Sequence, residues 1–104
     1  MATTTKALFR GAAATSNTTL YTVPNTSTTT VVTNIAITNT AATSATATIN
    51  IDGVAVLSGV SVSANTTTFV DLKQVIPADA TPKTVSGSAS ATTVNFHISG
   101  VEVS

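Results

Sequence analysis

The sequence predicts an all-β protein, an antiparallel β-sandwich of about eight strands with immunoglobulin-like or jelly-roll connections. Three observations carry the prediction. Thr, Val and Ile crowd the stretch VPNTSTTTVVTNIAITNTAATSATATINIDG, residues 23 to 53; branching at Cβ restricts these side chains in a helix and suits them to a pleated surface. From residue 45, Ala45, Ala47, Ile49 and Ile51 alternate with Thr46, Thr48 and Asn50, the two-residue period of a half-buried strand. Short apolar runs bounded by Asn, Pro, Gly or Ala-Thr turns then recur along the chain, and no segment carries a helical stripe.

The strands follow in order. KALFR and TTLYTV open the chain. TTTVVTNIAIT is a long strand with Val31, Thr33, Ile35 and Ile37 on one face and Val32, Asn34, Ala36 and Thr38 on the other. Asp52-Gly53 supplies a two-residue hairpin loop, whose central positions need positive φ; it pairs Ile51 with Val54 and Ile49 with Val56, all on one face. VSVS, TTFVDLKQV, TVSGSASA and VNFHISGVEV complete the set. Around Phe69 and Val70 both faces are apolar, which fits a strand covered on both sides or a bulge. In the last strand the apolar parity changes from Val94, Phe96 and Ile98 to Val101 and Val103, and Gly100 sits where a bulge would make that switch. The expected core holds Ile35, Ile37, Ile49, Ile51, Val54, Val56, Phe96 and Ile98. Replacing Gly53 by Val is expected to do more damage than replacing Gly87, which needs only to lie in a strand.

A chain of 104 residues makes one domain, residues 12 to 104, with residues 1 to 11 an N-terminal arm or first strand. As an arm, MATTTKALFRG would strap onto a neighbour through Leu8 and Phe9. Charged residues make up 8% of the chain against roughly 25% in ordinary soluble proteins. Net charge is zero and the cations, Lys6, Arg10, Lys73 and Lys83, are scattered, so a nucleic-acid partner is not expected. Cysteine is absent, which excludes disulfides and thiolate metal ligands. The opening residues lack the pattern of a secretory signal, which predicts synthesis and folding in the cytoplasm. Apolar runs such as Val54 to Leu57 fall far short of the roughly 18 residues that cross a bilayer, and no membrane partner is expected.

Chemistry finds little to work with. His97, the only histidine, falls opposite in parity to Phe96 and Ile98, on an outer or partner-facing side. Of the acids Asp52, Asp71, Asp79 and Glu102, Asp52 belongs to its turn and Asp79 to a Pro-Ala-Asp loop. No nucleophile elbow or metal-ligand spacing is present. We expect no enzyme, no catalytic, cofactor-binding or metal residue, and no cofactor. Asn17-Thr18-Thr19, Asn25-Thr26-Ser27 and Asn65-Thr66-Thr67 match the glycosylation acceptor pattern, as chance allows in a Thr-rich chain. Phe9, Tyr21, Phe69 and Phe96, without tryptophan, are too few for a sugar-binding platform.

A surface of short hydroxyl side chains meets another neutral surface without stranding buried charge, which suits repeated assembly and oligomerisation. LYTVPNTSTTTVVTNIAITNTAATSATATINIDGVAVLSGVSVSANTTTFVDLKQVI and the closing VNFHISGVEV resemble small virion proteins of tailed bacteriophages. The resemblance is carried by Tyr21, Val23, Pro24, Thr38, Asn39, Thr40, Asp71, Leu72, Ser99, Gly100, Val101 and Glu102. IPADATPKTVSG departs from the group's Gly-Asp turn. The resemblance implies a β-sandwich protein of capsid or tail with a structural, non-enzymatic role in the virion; the small size, single domain and neutral surface favour a capsid decoration or cement protein bound to the major capsid protein. It also suggests a homo-oligomer, guessed as a trimer. The alternative it leaves is a tail or fibre-associated protein that binds a host receptor.

Overall fold

A computed structural model describes residues 3–104. Its strands are β1 (Thr3–Ala12), β2 (Thr18–Thr22), β3 (Thr29–Asn39), β4 (Ala45–Ile51), β5 (Val54–Val62), β6 (Thr66–Ile76), β7 (Thr84–Ala89) and β8 (Val94–Val103). They form two four-stranded antiparallel sheets, sheet A in the order β1-β8-β3-β6 and sheet B in the order β2-β7-β4-β5. This is a β-sandwich, and of the two connection schemes expected, its strand order is that of a jelly roll. Only β4 and β5 are sequence neighbours paired within one sheet. Every other connection passes between sheets.

The β4–β5 hairpin turns on Asp52 and Gly53, at φ 55° and 74°. Both values are positive, as a type I′ turn requires. Ile51 pairs with Val54 as expected, but the ladder then slips, so Ile49 faces Leu57 in place of Val56. A second slip follows between Ala47 and Ile49, where Gly59 lies at φ 58° and donates its N–H to Thr48 Oγ1 at 3.1 Å. These irregularities bend β5, an edge strand, away from a regular ladder.

The core between the sheets contains Ile35, Ile37, Ile49, Phe96 and Ile98, all expected there, with Val23, Val32, Val62, Ile76, Val85 and Val94. Ile51 and Val56 are partly buried against it. Val54 is not a core residue: it sits beside the turn on the edge strand and is 68% exposed. Val32, assigned to the opposite face from Ile35, is fully buried with it. The reason is a slip between Val32 and Asn34 that reverses the facing of β3 at Thr33.

The irregularity expected at Gly100 lies instead in the flanking strands. β8 keeps its alternation through Val94, Phe96, Ile98 and Gly100 on the buried side, while β1 slips between Ala7 and Phe9 and β3 between Val32 and Asn34. Gly100 is an inward position with no room for a side chain, since a Cβ there would lie 2.8 Å from Leu8 Cδ1.

Thr3 to Ala12 are paired with β8; Met1 and Ala2, the start of the expected arm, lie outside the described residues. Leu8 is in the core and Phe9 packs against it, so neither side chain is free to strap a neighbour.

Asn39, fully buried at the end of β3, acts as a polar pin. Its Nδ2 donates to the carbonyls of Thr43 (2.8 Å) and Val62 (3.2 Å). Its Oδ1 accepts from Ala41 N–H (3.1 Å) and Thr93 Oγ1 (3.3 Å). One side chain thereby ties together the β3–β4 loop, the end of β5 and the β7–β8 loop, with its amide hydrogen-bonding capacity filled.

Candidate interaction surface

The acids are engaged in the framework. Lys83 lies 3.5 Å from Asp52 and 3.8 Å from Asp79, bridging the hairpin turn to the loop before β7. Asp79 also accepts from Thr81 N–H at 2.9 Å; that bond, and then the charge of Lys83, hold its carboxyl below the usual range. Asp71 accepts from Asn34 Nδ2 at 2.9 Å. Glu102 accepts from the Tyr21 hydroxyl at 2.5 Å and lies 3.4 Å from Lys6 Nζ.

Tyr21 itself is buried, and its hydroxyl also meets Thr30 Oγ1 at 2.9 Å. Burial first, then the bond to Glu102, pushes its pKa up to about 12. This phenol–carboxylate pair joins β2 of one sheet to β8 of the other at one end of the core. It is a cross-sheet tie, and two residues that carried the phage resemblance, Tyr21 and Glu102, are its members.

His97 is exposed on the outer face of sheet A. Among the described residues no hydrogen bond or ion pair joins it to an acid, and no group of three His, Cys, Asp or Glu converges as metal ligands would. The arrangement presents surface, and the two outer faces differ in kind.

Sheet B turns Thr46, Thr48, Asn50, Ser61 and Ser88 outward, opposite to Ala45, Ala47 and Ile49. Several of these groups are occupied internally: Asn50 Nδ2 donates to Asn17 Oδ1 at 3.1 Å, and Thr48 holds Gly59. This face is neutral and hydroxyl-rich.

The middle of the outer face of sheet A carries three rows that the strand registers define. Thr5, Val101, Val31 and Val75 form one; Ala7, Ser99, Asn34 and Asp71 the next; Arg10, His97, Ala36 and Phe69 the third. Phe69 is 71% exposed and Val75 60%. Phe69 therefore points outward while Val70 packs inward, which resolves the two apolar faces of this strand without a covering layer. Between the first and third rows, where β1 and β3 slip, lies an open hollow of ≈ 410 Å³ lined by Thr5, Ala7, Arg10, Thr33, Ser99 and Val101. The sequence signal for this face was the outward parity of His97; the outward apolar residues of β6 were not separable from core without the strand order.

No protein-family model matches the chain, and no curated protein matches it. The fold has solved counterparts. A chain of the T13 IBDV viral particle is similar over 97% of this chain, with a TM-score of 0.57 and 13% identity. A chain of infectious bursal disease virus Gx strain is similar over the same share, with a TM-score of 0.50 and 16% identity. This chain spans 30% of the length of each. At such identities the likeness is one of fold, and the fold shared is that of virus-particle chains; no match ties the sequence to tailed bacteriophages.

Proposed function

We propose that the protein is a non-enzymatic structural component of a virus particle, a decoration or cement protein carried in many copies on the major capsid protein of a phage head. The observation that carries this reading is the outer face of sheet A, where Phe69, Val75, Val31 and Val101 are presented on a nearly uncharged sandwich. Exposed apolar groups of this kind mark contact with another protein. The fold likeness to virus-particle chains supports the setting. The acids, committed to turns and cross-strand ties, favour a role without chemistry. Binding by apolar contact leaves few ion pairs to screen, so attachment resists salt.

Adding the purified chain to source particles stripped of it tests the reading. Saturation at many copies distributed over the shell, retained in high salt and seen by cryo-electron microscopy, is the expected result. Attachment of a few copies at the tail tip would replace this reading with the tail or fibre-associated, receptor-binding one.

A further inference from the structure

We propose that the free edge of β6 docks a second copy of this chain, strand against antiparallel strand about a twofold axis at Leu72, so that two sheets A become one continuous sheet. The inference does not depend on the virion reading.

The sandwich has four edge strands, and three are unsuited to such pairing. β5 slips twice and carries Gly59 at positive φ. β2 has only five residues and slips between Thr19 and Tyr21. β1 slips at Leu8 and carries Lys6 and Arg10. Such bulges, short lengths and charges are the usual guards of a sheet edge.

β6 differs. It runs for 11 residues, and among the described residues only β3 pairs with it. Its ladder with β3 slips once, where Val32 pairs with Gln74 and Asn34 with Asp71, so that Leu72 and Lys73 lie within the slip; β6 nevertheless holds Phe69, Asp71, Lys73 and Val75 on one exposed side across it, and the reversal of facing belongs to β3. Along β6 itself Val70, Leu72 and Ile76 pack inward, while Phe69, Asp71, Lys73 and Val75 are all exposed.

The order of those four outward residues is self-complementary about Leu72. Antiparallel pairing centred there sets Asp71 opposite Lys73 of the second copy and Phe69 opposite its Val75, and the symmetry makes each pair twice. No neighbouring centre does this. Centring on Asp71 or Lys73 opposes like charges directly; centring on Val70 or Gln74 sets a charge against an apolar side chain. Opposite charges and aromatic–β-branched pairs across strands are favourable, and like charges are not. Asp71 keeps acceptor capacity beyond its one bond from Asn34, and among the described residues Lys73 has no ion-pair partner.

Sedimentation of the full chain over a concentration series tests the proposal. The expected result is a monomer–dimer equilibrium that Asp71→Lys or Lys73→Asp alone weakens by roughly tenfold, and that the double charge swap restores, with circular dichroism confirming the fold throughout. Phe69→Ser, at an exposed position, should weaken the dimer similarly and serves if a charge reversal unfolds the chain. A monomer at all concentrations, a trimer, a dimer indifferent to these changes, or a double swap that fails to recover overturns the inference.

Discussion

At the scale of residues, the polar atoms that matter most lie in the interior. Tyr21 ties the two sheets through Glu102 and Thr30, and its raised pKa of about 12 makes the fold sensitive to alkali. The folded state holds the phenolic proton more tightly than the unfolded chain, whose tyrosine titrates near 10. The contribution is therefore complete below pH 10 and is lost as pH rises from there through 12. Tyr21→Phe should lower stability by about 1–2 kcal/mol at neutral pH, because Glu102 and buried Thr30 lose their shared partner, and should flatten the alkaline decline. Melting curves between pH 7 and 12 for both proteins check the two effects. The glycines order differently from what the sequence suggested. A Cβ on Gly87 would sit 2.7 Å from the carbonyl oxygen of Thr48 and 2.8 Å from Ile49 Cδ1, whereas one on Gly53 meets nothing within 4 Å. Gly87→Val should therefore lower the melting temperature more than Gly53→Val, whose cost is confined to a strained turn.

At the scale of elements, β1 has become part of the frame. It lies along β8 and delivers Leu8 to the core, so removing residues 1 to 8 takes away a core side chain and uncovers half of an inner strand, Ser99 to Val103. The truncated protein should melt well below the full chain or precipitate, as thermal denaturation with light scattering will report. A truncation with unchanged stability would return the segment to the role of a detachable arm. What could be read beforehand was local. Alternation in residues 45 to 51 and the Asp-Gly turn gave the hairpin, because both signals reside in consecutive residues. The slips at Leu8, Thr33 and Val56 could not be read, since a bulge is decided by the ladder on the neighbouring strand. Val54 and Phe69 failed as core and ambiguous residues for a related reason: alternation says which side chains share a face, and only strand order says whether that face is covered.

At the scale of the whole molecule, the composition of the proposed interaction face could be read beforehand and its place could not. Low charge and abundant hydroxyls pointed to a surface made for assembly; hydroxyls lie on both sheets, whereas Phe69 and Val75 are exposed on sheet A and Val54 at the edge of sheet B, a placement set by the jelly-roll path. Nearly all pairings in that path join distant segments, and Thr3 lies beside Val103. The domain therefore cannot close until its last strand has left the ribosome, since β8 sits between β1 and β3 at the heart of sheet A. The same adjacency means that the polypeptide enters and leaves the domain at one point. A jelly roll with this geometry can be spliced into a surface loop of a larger polypeptide without prying the host apart, as a self-contained module hung from a two-stranded stem.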